Sequence, residues 1–183
     1  MLYQIASLLL QVVVGLLAGT CLLRLYMQYQ RVALSARSGN PLGPFVFALT
    51  DWLVLPLRRV VPPVGRWDSA SLVGAYLIEL LGFALLWALP SVQFGVESIP
   101  VHAFFGLLKL ALSGLSGLVL VFAVLSWVQA GYPLMGLLDR LVTPLLKPIR
   151  RVLPLVGGVD LSALALLVLL QVAGIVVQAL QGG

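Results

Sequence analysis

Two arginine pairs, Arg58-Arg59 and Arg150-Arg151, hold the densest ionic chemistry in this 183-residue chain. Each stands in the same setting, because Pro56-Leu-Arg-Arg-Val-Val-Pro62 recurs as Pro148-Ile-Arg-Arg-Val-Leu-Pro154 at an offset of 92 residues. Guanidinium groups fork onto phosphate oxygens, so these pairs are suited to anionic headgroups. Lys147 joins them as a candidate in the second copy. Plain anchoring at a membrane interface is the simpler account of such residues. The sharper reading has all four arginines converging on one pseudo-symmetric anion site.

Four acidic positions qualify that picture. Asp68 and Asp160 occupy equivalent places in the two copies, just ahead of an apolar run. Either they cap the following helix, or each pairs with an arginine of its own motif and locks the two segments together. Asp51 and Asp139 do not align, and solvation at the interface suffices for both. Glu79 and Lys109 are more unusual, since each interrupts an apolar run. At about 1.5 Å per residue, both fall roughly 14 to 15 Å into a bilayer from opposite faces, where they could meet as a pair. A lone charge at that depth costs about 2.5 to 3.5 kcal/mol, so both are expected to face protein. Such a pair either fixes helix packing or marks a conduction path.

The elements that must position these residues follow from composition. The chain is 61% hydrophobic and 9% charged, with a mean hydropathy of +1.11, far too apolar for a soluble domain of this size. A spanning helix needs about 20 apolar residues, and four stretches qualify: 4–23, 69–89, 101–127 and 161–180. The fold expected is an all-α membrane protein of two tandem two-helix repeats, 1–92 and 93–183. Between the spans of each repeat lies an apolar segment, 43–61 or 133–152, interrupted by prolines and closed by an arginine pair. Each is expected to be a Pro-broken amphipathic helix at the interface. In the second, Arg140, Thr143, Lys147, Arg150 and Arg151 follow helical spacing along one stripe.

Ten of the eleven basic residues lie in the two long connectors, which places these in the cytoplasm and both termini outside. The net charge of +5 then belongs to a membrane face, and no nucleic acid is needed to explain it. The single cysteine, Cys21, excludes an intramolecular disulfide and a multi-cysteine metal site. GxxxG at Gly15–Gly19 and the small-residue step Ser113–Gly117 read as packing positions within the bundle. Trp52, Trp67, Trp87 and Trp127 suit the aromatic belts.

Pro56 to Pro62, followed by Val64-Gly65 and Asp68-Ser-Ala-Ser-Leu72, resembles the first repeat of the YggT family of bacterial inner-membrane proteins. Leu125-Ser-Trp-Val-Gln129, Pro144 to Pro154 and Gly157-Gly-Val-Asp160 resemble its second repeat. A basic stretch from Arg31 to Gly39 departs from the pattern, because the second half has no counterpart. The resemblance implies a multi-pass protein of the bacterial inner membrane. It also implies kinship with factors linked to cell division, nucleoid organisation, plastid cytochrome assembly and tolerance of osmotic stress.

No nucleophile with a base, phosphate loop or dense metal-ligand cluster stands out, so neither enzyme, metal nor cofactor is expected. The first functional expectation is a non-enzymatic protein that organises or helps assemble envelope components. Its partners would be anionic phospholipid and other envelope proteins or copies of itself. The alternative is a small oligomeric transporter or channel-like unit serving osmotic or ion homeostasis through Glu79 and Lys109.

Overall fold

The computed structural model describes residues 2–34, 40–88, 95–127, 133–152 and 161–182. The regular structure among them is helical: α1 (Leu2–Tyr29), α2 (Gly43–Val60), α3 (Ser69–Trp87), α4 (Ile99–Trp127), α5 (Pro133–Arg150) and α6 (Ser162–Gly182), with a 3-10 turn at Val96–Ser98 leading into α4. Helices α1, α3, α4 and α6 are long and apolar enough to cross a membrane. Many of their apolar side chains face outward: Leu8 and Leu9 on α1, Leu81 on α3, and Leu164 and Ile175 on α6 are all exposed. Water would penalise that surface, whereas lipid tails solvate it.

Within this frame, α1 packs on α3, α4 on α6, and α3 on α4. Helix α2 lies against α1 and α3, and α5 lies against α4 and α6. One apolar cluster joins Ala18 and Cys21 of α1, Val54 of α2, Ala70, Ala75 and Ile78 of α3 and Leu107 of α4. A second joins Val119 and Phe122 of α4, Leu138, Val142 and Leu146 of α5 and Ala163 and Leu166 of α6. A third brings Met27 of α1, Val46 of α2, and Leu137 and Leu141 of α5 together. Across that third cluster the Tyr26 hydroxyl donates to the Leu141 carbonyl at 2.6 Å, so the two connector helices share a seat on the end of α1.

The connector helices are unbroken, which corrects the expectation drawn from their prolines. Helix α2 runs through Pro56, and α5 runs through Pro144 and Pro148. An internal proline removes one backbone hydrogen bond and crowds the carbonyl four residues earlier. All three rings lie on the exposed side of their helices, where a freed carbonyl can be solvated. The buried side is a separate stripe at helical spacing: Val46, Thr50 and Val54 on α2, and Leu138, Leu141, Val142 and Leu146 on α5.

Helix α1 is longer than expected. Its 28 residues rise about 42 Å at 1.5 Å each, against a hydrocarbon core of about 30 Å, so its charged end extends past that core. It closes in a Schellman motif: the Arg31 amide donates to Gln28 O at 3.0 Å, and the Val32 amide to Met27 O at 2.9 Å. Arg31 has φ of 56°, the left-handed conformation usually left to glycine.

Candidate functional site

Where α1, α2 and α3 meet on the connector side, a buried ionic network ties them together. Arg24 of α1 is 1% exposed, and Thr50, Asp68 and Ser71 are buried with it. Its Nη1 donates to Thr50 Oγ1 and to Asp51 Oδ1, each at 2.6 Å. The guanidinium also lies over the Phe47 ring, 5.0 Å from its centroid. Its Nε is buried, has no hydrogen bond among the described residues and faces Asp68 Oδ2 at 3.9 Å. Thr50 passes the network to the backbone by donating to Val46 O at 2.6 Å.

Asp68, the residue before α3, is the hub. Arg58 donates to it twice, Nε to Oδ1 at 3.3 Å and Nη2 to Oδ2 at 2.6 Å, and Ser71 Oγ donates to Oδ2 at 2.6 Å. Of the two sequence readings, this is the arginine lock; the Asp68 side chain makes no capping hydrogen bond to the helix backbone. Burial alone would raise the Asp68 carboxyl pKa. The hydrogen bonds from Arg58 and Ser71 and the charges of Arg58 and Arg24 outweigh it and hold the group below its ordinary value. The loop between α2 and α3 is pinned as well. Ser69 Oγ donates to Pro62 O at 2.6 Å, and Val64 and Trp67 exchange backbone hydrogen bonds around Gly65, whose φ is +61°.

The arginine pairs therefore divide. Arg58 spends its fork on Asp68, so a shared four-arginine anion site loses one member. Arg59, Lys147, Arg150 and Arg151 are exposed on their helices or just past the end. Pro56 and Pro148 sit on exposed helix faces, while Pro154 and Asp160 lie outside the described residues. Arg24, one of the ten basic residues of the connector side, is buried, and Asp51, expected to be merely solvated, is its partner. The readable signal was one acid in the apolar start of a connector segment and one base just past an apolar run.

Glu79 and Lys109 do not meet as an ion pair; no such contact occurs among the described residues. Instead both line one cavity of about 440 Å³ between α1, α3 and α4, together with Gln11, Phe83, Gly106 and Ser113. Lys109 Nζ donates to Gln181 Oε1, near the end of α6. Its flexible stem lets the ammonium reach along the bundle toward a polar helix end. Glu79 is 8% exposed and packs against α4, where a Cβ added at Gly106 would stand 3.0 Å from its Oε2. Gln171, its counterpart by the offset, is exposed on α6. The tight helix approaches are at Gly82 and Gly106, whereas Gly15 and Gly117 face open space. A double-mutant cycle of Glu79→Gln with Lys109→Met should be additive within about 0.5 kcal/mol in detergent unfolding, while Lys109→Met with Gln181→Leu should not. Coupling in the first cycle beyond that margin would restore the direct pair.

Similarity to known proteins follows the same layout. The family model for CCB3/YggT matches twice, over residues 2–89 and 101–181. The chain belongs to the CCB3/YggT family. It is 38% identical over 168 residues to "Uncharacterized protein YggT" of Escherichia coli (strain K12), covering 90% of this chain and 84% of that one. It is also 38% identical over 159 residues to "Uncharacterized protein in proC 3′region" of Vibrio alginolyticus, covering 83% and 82%. A Haemophilus influenzae relative is 32% identical over 162 residues, covering 86% and 83%. No solved structure matches.

Proposed function

We propose that this YggT-family chain is a non-enzymatic, multi-pass protein of the bacterial inner membrane that organises or helps assemble envelope components. Its working surface is the exposed side of α2 and α5. The observation that carries this reading is the Arg24–Asp51–Asp68–Arg58 network, which fixes a connector helix rigidly to two spanning helices. A helix that served only to float in the interface would need no such buried tie. Arg59, Lys147 and Arg151 then sit among anionic headgroups, with both connectors cytoplasmic and both termini periplasmic, as their charges require. Division, nucleoid-organising or cytochrome-assembly components are the partners the family resemblance favours. Photo-crosslinkers placed at Lys147 and Arg140 in living cells should capture a discrete envelope protein, while one at lipid-facing Leu164 should not. Equal capture at all three positions would sink the reading.

The cavity between α1, α3 and α4 favours a second reading, a small oligomeric transporter or channel. Two opposite charges line it without neutralising each other directly. In proteoliposomes, solute or ion flux that Glu79→Gln abolishes would establish this role; wild-type liposomes no leakier than empty ones would exclude it.

A further inference from the structure

We propose that the pocket between the end of α1 and the loop preceding α3 binds a phosphate group. This pocket, with about 300 Å³ of space, is lined by Gln28, Arg31, Arg66, Trp67 and Asp68. It is separate from both arginine pairs and draws on the basic stretch that has no counterpart in the second half.

Three features point to an anion of this kind. First, Arg31 and Arg66 form no ion pair among the described residues, and Asp68, the carboxylate in the same lining, is engaged by Arg58. Arg24 and Arg58 already use Asp51 and Asp68, leaving four guanidiniums against two carboxylates in this corner. Asp68 forms one wall but does not repel an incoming anion strongly, because Arg58 and Ser71 already cover its oxygens. Second, both arginines are held by defined turns. Arg31 stands at the left-handed closing position of the α1 Schellman motif, and Arg66 sits in the turn closed by the Val64–Trp67 hydrogen bonds. Third, Gln28 adds an amide donor, and two forked cations with an amide match the several oxygens of a phosphate better than a lone carboxylate.

The ligand phosphate has two possible sources. Trp67 packs on Tyr29 with ring centroids 5.0 Å apart, an aromatic pair typical of headgroup level, so a phospholipid headgroup is the nearer one. Free phosphate carries the same chemistry. The second half offers no duplicate, because Gly158 stands at the offset position of Arg66 and nothing matches Arg31. One site per chain is therefore expected.

The test uses the full-length protein in detergent, titrated with phosphatidylglycerol and separately with inorganic phosphate, and read by native mass spectrometry. Wild type should retain one phosphate-bearing ligand that the Arg31→Gly/Arg66→Ala variant binds at least about tenfold more weakly. Arg31→Gly suits the left-handed backbone, so that variant should fold, and its melting curve checks this. Retention of phosphatidylglycerol uncompeted by inorganic phosphate identifies a headgroup site, and competition by inorganic phosphate identifies a site open to the free ion; both support the proposal. Equal binding by a folded variant overturns it, as does loss of the ligand only when Arg59 and Arg151 are replaced.

Discussion

Asp68→Asn should destabilise the protein by about 3 to 5 kcal/mol, because it removes the buried negative charge that pairs with Arg58 and faces Arg24. Asp51→Asn should cost about 1 kcal/mol or less. Its carboxylate is 39% exposed, and Arg24 would keep Thr50 as a partner. The two aspartates touch the same arginine, so the contrast separates burial from contact. A pH series gives an independent reading of the same group. The folded Asp68 carboxyl sits below its ordinary value, so its contribution is fully present above the unfolded carboxylate pKa of about 3.9. That contribution is lost as pH falls through the lower folded value. Thermal unfolding in detergent should therefore show an acid-side loss in wild type that is smaller in Asp68→Asn. Equal effects of the two substitutions at neutral pH would show that Asp68 is not the hub.

The same network shows what the sequence could and could not convey. Span positions were readable because lipid solvates apolar side chains directly: α3 begins at Ser69 as expected, and α2 and α5 begin at Gly43 and Pro133. Proline was misread because its effect depends on which face it occupies. Pro56, Pro144 and Pro148 all face outward, where a lost backbone bond is mild. Charge partners were harder still. Arg24 and Asp51 are 27 residues apart and fall in different elements, so only the packing of α2 on α1 brings them together. Glu79 and Lys109 line one cavity without forming the direct pair that their depths suggest. Their depths alone could not reveal that Gln181, 72 residues beyond Lys109, would accept the Lys109 hydrogen bond.

Gly43→Ala and Gly136→Ala should move stability in opposite directions, although both glycines lie near the start of a connector helix. A Cβ on Gly43 would run into the backbone oxygen of Leu34. That carbonyl belongs to the segment seating α2 on α1, beside Met27, Val32 and Val46. A backbone atom cannot rotate aside as a side chain can, so α2 must shift on its seat, at a cost of roughly 1 to 3 kcal/mol or more. The shift would pass to α5, whose Leu137 and Leu141 share that cluster and whose Leu141 carbonyl accepts from Tyr26. In the second half the offset places Met135 opposite Gly43, so a side chain is accommodated at the start of α5. Gly136 is exposed, and a Cβ there meets nothing within 4 Å. Alanine at that site should stabilise α5 by up to about 1 kcal/mol through backbone entropy alone. Melting curves of the two variants in the same detergent decide the matter. Gly43→Ala melting at or above wild type would mean that α2 is not seated on the Leu34 carbonyl, and the rigid surface proposed for the connector helices would lose its foundation.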